Sequence, residues 1–135
     1  LSFLLRHASL NLKEVIGPTL KESGISTLEF FTLRLIQTNE SSILRTLANA
    51  IGVEPPAMNR IMNGLEDKEL ASRNKSIDDA RYTYFKLTNK GVEILRAIEA
   101  QFDEAERGAV KTLSNKEKEA LIALLQRVIR TRTDS

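Results

Sequence analysis

The chain has 135 residues, 41% of them apolar and 28% charged, a balance that supplies a core for one domain and argues against wholesale disorder. Its 20 basic and 18 acidic side chains leave a net charge of only +2, too little to identify a polyanionic partner by charge alone. The absence of cysteine excludes disulfides, thiolate metal sites and thiol redox chemistry, and a single histidine, His7, argues against a zinc centre.

In chain order, apolar side chains at 1, 5, 8, 12 and 16 predict a helix over residues 1–22. Gly17-Pro18 should kink or divide it, and Gly24 should end it. Ser26 and Glu29 have capping-box spacing and start a second helix, to about Gln37. That helix is apolar nearly all round, so burial on most sides is expected. Ser42 is expected to cap a short helix through Ile51, with Gly52 as its stop. Pro55 and Pro56 suit the first turn of the next helix, which runs to about Lys68 with Met58, Ile61, Met62 and Leu65 turned inward.

A strand from Ala71 to Lys75, a polar tip and a second strand ending at Leu87 predict a hairpin, the second strand carrying the β-formers Tyr82, Thr83, Tyr84 and Phe85. Thr88 then caps a long helix whose apolar positions 95, 98, 102, 105 and 109 repeat at three and four. Ser114 and Glu117 form a second capping box, and the last helix carries Leu121, Leu124, Leu125, Val128 and Ile129. The fold class expected is mainly α with a small β-hairpin: a winged helix-turn-helix over residues 26–88, flanked by N- and C-terminal dimerisation helices at 1–24 and 89–135 in a single domain. The outer apolar stripes exceed what so small a domain can cover, and a second copy of the chain would cover them. Neither a leader nor a membrane-spanning run is read, so a cytoplasmic protein is expected.

The chemistry points to a nucleic-acid surface. On the helix that begins at Pro55, Asn59, Arg60 and Asn63 should face outward, and these side chains suit base edges in a major groove. Arg81 at the hairpin tip suits the negative potential of a narrow minor groove. Asp79, repelled by DNA, is expected to pair with Arg81 or a backbone N–H and stabilise the wing. Arg73, Lys75 and Lys86 on the hairpin are expected phosphate contacts. An enzyme is not expected, because no nucleophile–base set and no Gly-rich phosphate loop exists. No cofactor and no metal are expected.

At this point the sequence resembles the MarR family of transcription regulators along nearly its whole length. "LRTLANAIGVEPPAMNRIMNGLEDKELASR" is similar to the family's helix-turn-helix core. "DDARYTYFKLTNKG" is similar to its wing, with Asp79 and Arg81 as D-x-R, and Leu87, Thr88 and Gly91 as L-T-x-x-G. The resemblance implies a homodimer on double-stranded DNA, reading a pseudo-palindrome with half-sites about 10 bp apart, commonly as a repressor. It also implies release by a small aromatic or anionic effector bound near the dimerisation helices, for which Arg6, His7 and Phe31 are the candidate pocket residues. Pro56, Ala57 and Gly64 depart from the family's polar recognition helix, and Glu69 replaces a glycine, with strain if the backbone there is left-handed. An alternative therefore stands beside the regulator: a dimerising protein-interaction module with a weak or vestigial DNA face.

Overall fold

The computed structural model describes residues 1–39, 42–79 and 81–133. Six helices and three short strands follow in the order α1 (Ser2–Lys21), α2 (Thr27–Thr38), β1 (Ser42–Ile43), α3 (Leu44–Ile51), α4 (Pro55–Asp67), β2 (Ala71–Lys75), β3 (Thr83–Leu87), α5 (Asn89–Ala109) and α6 (Asn115–Thr133). The local signals act as their chemistry requires. The Ser26 hydroxyl accepts from the Glu29 N–H while the Glu29 carboxylate accepts from the Ser26 N–H, closing a capping box at α2. Ser114 and Glu117 do the same at α6. Thr88 caps α5 by accepting from the Gly91 N–H.

Two local expectations are corrected. Gly17-Pro18 does not divide the first helix, which runs continuously from Ser2 to Lys21. Pro18 and Glu14, the residue four earlier whose carbonyl loses its partner, are both exposed, so water can solvate the freed group while Ile16 and Leu20 hold the buried face. Ser42 does not cap α3 either. It pairs with Phe85 in β1, its hydroxyl donates to the Asn39 carbonyl, and the N-cap position falls to Ile43 without a side-chain bond. The expected hairpin is thus a three-stranded antiparallel sheet of order β1-β3-β2, in register from Ala71 opposite Leu87 to Lys75 opposite Thr83.

The core sits where α2, α4, the sheet and α5 as far as Phe102 meet. Phe30, Leu33, Met58, Met62, Leu65, Phe85, Leu95 and Phe102 are buried there, and the Phe30 and Phe102 rings lie 4.3 Å apart between centroids. α1 packs along α5 through its second half, whereas residues 1–11 are all exposed. Phe31 and Leu28 of α2 also reach the surface, so that helix is buried on one side within the protomer. No helix among the described residues is long and apolar enough to cross a membrane.

The junction between the sheet and α5 is close. A Cβ at Gly91 would lie 2.0 Å from the Leu70 carbonyl oxygen, so only glycine fits. The same carbonyl accepts from the Thr88 N–H, and the Thr88 hydroxyl donates to the Glu69 carbonyl. Glu69 itself has φ 61°, so the condition for strain at this residue in a glycine's place is met.

Candidate nucleic-acid interface

The turn before α4 is built from backbone chemistry. Gly52 adopts φ 84° and ends α3, and Pro55 and Pro56 occupy the first positions of α4, where a missing N–H leaves no bond unmade. Met58, Met62 and Leu65 bury the inner face of α4. The helical period then turns Pro56, Arg60 and Asn63 outward and exposed, with Asn59 half-buried at their edge. Arg60 lies on the side of α4 that borders a groove shared with Leu28 and Glu29 of α2.

Arg73 of β2 joins the wing to this face. Its Nη2 donates to Asn59 Oδ1 at 3.1 Å and to Asn63 Oδ1 at 2.6 Å, and its Nε is hydrogen-bonded to the Glu66 carboxylate. The guanidinium carbon also stands 5.3 Å from the centroid of the buried Phe85 ring. The structure therefore holds the Arg73 guanidinium against α4. The link to Glu66 and the two amides was not legible from spacing, because it depends on how β2 lies across the helix.

Beyond β2 and β3 the wing tip closes on itself. Ser76 N–H donates to the Tyr82 carbonyl at 2.9 Å, and Tyr82 N–H to the Asp79 carbonyl at 3.0 Å. Asp79 accepts from both parts of Arg81: the backbone N–H at 3.0 Å, Nε at 3.0 Å and Nη2 at 2.7 Å. The Arg81 side-chain bond, and secondarily its N–H, hold the Asp79 carboxyl below its ordinary value, and the carboxylate raises Arg81 in return. The Arg81 side chain is 84% exposed, so its charge stands in solvent at the end of a braced loop. Lys75 and Lys86 are exposed on the two wing strands. Sequence reasoning passed over Ile77, 99% exposed at the same tip; an isolated apolar residue in a polar turn was the available signal.

The three candidate pocket residues do not converge. Arg6 is exposed on the N-terminal half of α1, and His7 beside it lies with its ring 4.3 Å from that of Phe3. Phe31 lines a separate groove with Arg34 and Ile51. A cleft of about 400 Å³ between α1, α5 and α6 is instead lined by residues including Leu12, Arg107, Val110, Lys118, Leu121 and Leu125. Among the described residues no cluster of three or more metal-ligating side chains occurs.

Residues 25–83, the segment that carries this surface, match the model of the MarR family. Solved structures similar to the whole chain include a DNA complex of S. aureus MepR, 26% identical over 96% of each chain with a TM-score of 0.82. A mutant MarR from E. coli in complex with operator DNA is 22% identical over 95% of this chain and 92% of that one, with a TM-score of 0.84. Bordetella bronchiseptica BpsR, solved in connection with the regulation of its DNA binding by 6-hydroxynicotinic acid, is 17% identical over 95% and 91%, with a TM-score of 0.86. The matched segment and these near full-length structural neighbours agree: residues 25–83 match the MarR family, and the whole chain has the winged-helix fold of MarR-family structures.

Proposed function

We propose that this chain is a sequence-specific DNA-binding transcription regulator that works as a homodimer, with α4 in a major groove and the β2–β3 wing at the adjoining minor groove. One observation carries the reading. Arg73 ties wing strand β2 to the outward amides of α4, so helix face and wing form one continuous polar surface that ends in the braced cation Arg81. In this reading Asn59, Arg60 and Asn63 face base edges, Arg81 enters the minor groove, and Lys75, Lys86 and the remaining donor capacity of Arg73 meet phosphates. α1, α5 and α6 supply the dimer contacts, and two-fold symmetry sets a pseudo-palindromic operator.

Repression relieved by an effector completes the proposal. The cleft between α1, α5 and α6 has apolar walls, and its Arg107 and Lys118 are matched by Asp103 and Glu106, so it suits a small aromatic effector better than the dispersed Arg6, His7 and Phe31. Such a ligand would act by favouring a dimer whose two α4 helices are misspaced for DNA. The test is selection from randomised duplexes at moderate salt, followed by affinity measurement on the winning sequence. A two-fold-symmetric consensus is expected, and Arg81→Ala should weaken binding to it. Unchanged affinity in Arg81→Ala would remove the wing from the reading.

A second reading, an interaction module with a weak DNA face, is favoured by the start of α4. Pro56 is exposed and Ala57 half-buried, and neither offers a side-chain hydrogen bond where α4 would meet the groove. Selection that enriches no sequence, with dimerisation intact, would favour it.

A further inference from the structure

We infer that Arg73 sets the base preference of α4 without reading a base itself, by converting Asn59 and Asn63 into hydrogen-bond donors only. The inference rests on the proposed DNA-binding role. A guanidinium carries donors and no acceptor, so the amide end that faces it must be the oxygen. Both Oδ1 atoms lie on the same Nη2, at 3.1 and 2.6 Å, which leaves both Nδ2 groups as the free ends, and neither donates to any described residue. Asn59 and Asn63 are four apart and Glu66 three further on, so one stripe of α4 holds both amides and the carboxylate that anchors Arg73. The Phe85 ring beneath and the Glu66 carboxylate beside it fix the guanidinium, and the guanidinium in turn fixes the amides.

The consequence for recognition follows from base chemistry. An asparagine reads adenine by accepting from N6 and donating to N7 together. With its oxygen turned to the guanidinium, the end left free to face a base is the Nδ2 donor. Guanine, with O6 and N7 side by side, and thymine, with O4, present acceptors to that donor; adenine keeps one acceptor, N7, but leaves its N6 donor unmatched, and cytosine presents its own donor and is rejected. The α4 face is thus set for guanine or thymine at the positions it covers, against the adenine preference that free asparagines would bring. The Oδ1 atoms are held before DNA arrives, so the preference requires no side-chain reorganisation on binding.

The same duplex selection tests this. Asn59→Ala and Asn63→Ala first identify the base positions each amide covers, as those whose preference flattens. At these positions the unmodified dimer should select guanine or thymine. Arg73→Met should raise the adenine-to-guanine ratio at least about fivefold, the lower end of what a bidentate pair confers. Asn63→Asp keeps the bond to Arg73 but presents an acceptor, and should move its position towards cytosine. Adenine dominant at these positions in the unmodified dimer would overturn the inference, whether or not Arg73→Met folds. So would a base profile unchanged by Arg73→Met in a protein that still binds. A dimer that enriches no sequence at all would remove the DNA-reading proposal and this inference with it, a result distinct from a specific consensus of the wrong base.

Discussion

The winged helix and the outer helices use apolar residues in opposite ways. In the first, Phe30, Met58, Met62, Leu65 and Phe85 are fully buried against one another. In the second, Phe3, Leu4, Ile122, Leu124 and Ile129 are more than half exposed on α1 and α6. Among the described residues, α6 makes no extensive contact with another element. These exposed apolar side chains on two helices are the surface that the proposed dimer would cover. The winged helix, by contrast, has its core completed within one chain, with Leu95 and Phe102 of α5 closing it. Folding information for 25–88 is contained in one chain, while that for the outer helices is shared between two copies in the proposed dimer.

Breaking the shared part should have the largest effect. Ile122 and Ile129 lie seven apart on one face of α6, 56% and 65% exposed in the protomer. Covering an isoleucine is worth about 1.5–3 kcal/mol, and two-fold symmetry counts each residue twice. The double variant Ile122→Glu, Ile129→Glu should therefore cost about 6 kcal/mol or more of dimerisation free energy. Sedimentation should show a monomer at tens of micromolar, about the concentration range of a routine experiment. A dimer as tight as the unmodified one would place the partner surface elsewhere.

The next effect belongs to the join between the two regions. Gly91→Ala would put a Cβ 2.0 Å from the Leu70 carbonyl oxygen, a backbone atom that cannot rotate away. Either α5 or the strand β2 end must move, at a cost of about 3 kcal/mol, the upper end for overpacking. Urea unfolding should register it as a lower midpoint. A midpoint within experimental error would mean that the α5 start shifts freely and the two regions are less tightly joined than the contact implies.

A gain is expected at Glu69, one residue before Leu70. Glu69 holds φ 61° in a conformation that costs a non-glycine residue roughly 1–2 kcal/mol. Glu69→Gly removes that strain but adds the entropy of a glycine in the unfolded chain, for a net stabilisation of about 0.5–1 kcal/mol. The loss of the 3.9 Å contact with Lys90 changes little, since exposed ion pairs contribute little. Destabilisation on the same urea scale would show that Glu69 does something its backbone does not reveal.

The same comparison explains what the sequence could and could not disclose. Ser26, Gly52, Pro55, Thr88 and Ser114 were readable because each acts on residues within four positions. β1 was not, because two residues have no period and their pairing partner, β3, lies some forty residues on. Pro18 does not divide α1, because a proline tells what bond is lost but not whether the freed carbonyl can be solvated. Asp79 and Arg81 are two positions apart, and their pairing was anticipated from the repulsion of an acid by DNA. Arg73 needed the register of β2 against α4, which no spacing rule contains. The candidate pocket residues dispersed for a related reason: the surroundings of Arg6 and His7 on α1 depend on what covers that helix, which this chain alone does not specify.

The smallest effect lies farthest from either core, at the wing tip. Asp79 is held below its ordinary value by the Arg81 guanidinium and then by the Arg81 N–H. A carboxyl with a depressed folded value contributes stability above its unfolded value and loses it as pH falls through the folded one. The wing-tip brace should thus be complete at neutral pH and open in acid, below the ordinary carboxylate value of 3.8. The pair is exposed, so the global unfolding midpoint should not follow this titration. A local probe should: the Asp79 side-chain carboxyl resonance should titrate below the ordinary value and move up in Arg81→Ala. Amide exchange at Tyr82, whose N–H is held by the Asp79 carbonyl, should rise over the same acid range. If the carboxyl titrates identically with and without Arg81, the loop is shaped by its backbone bonds alone. Arg81 would then present its charge to DNA from a flexible side chain, at a larger entropic cost on binding.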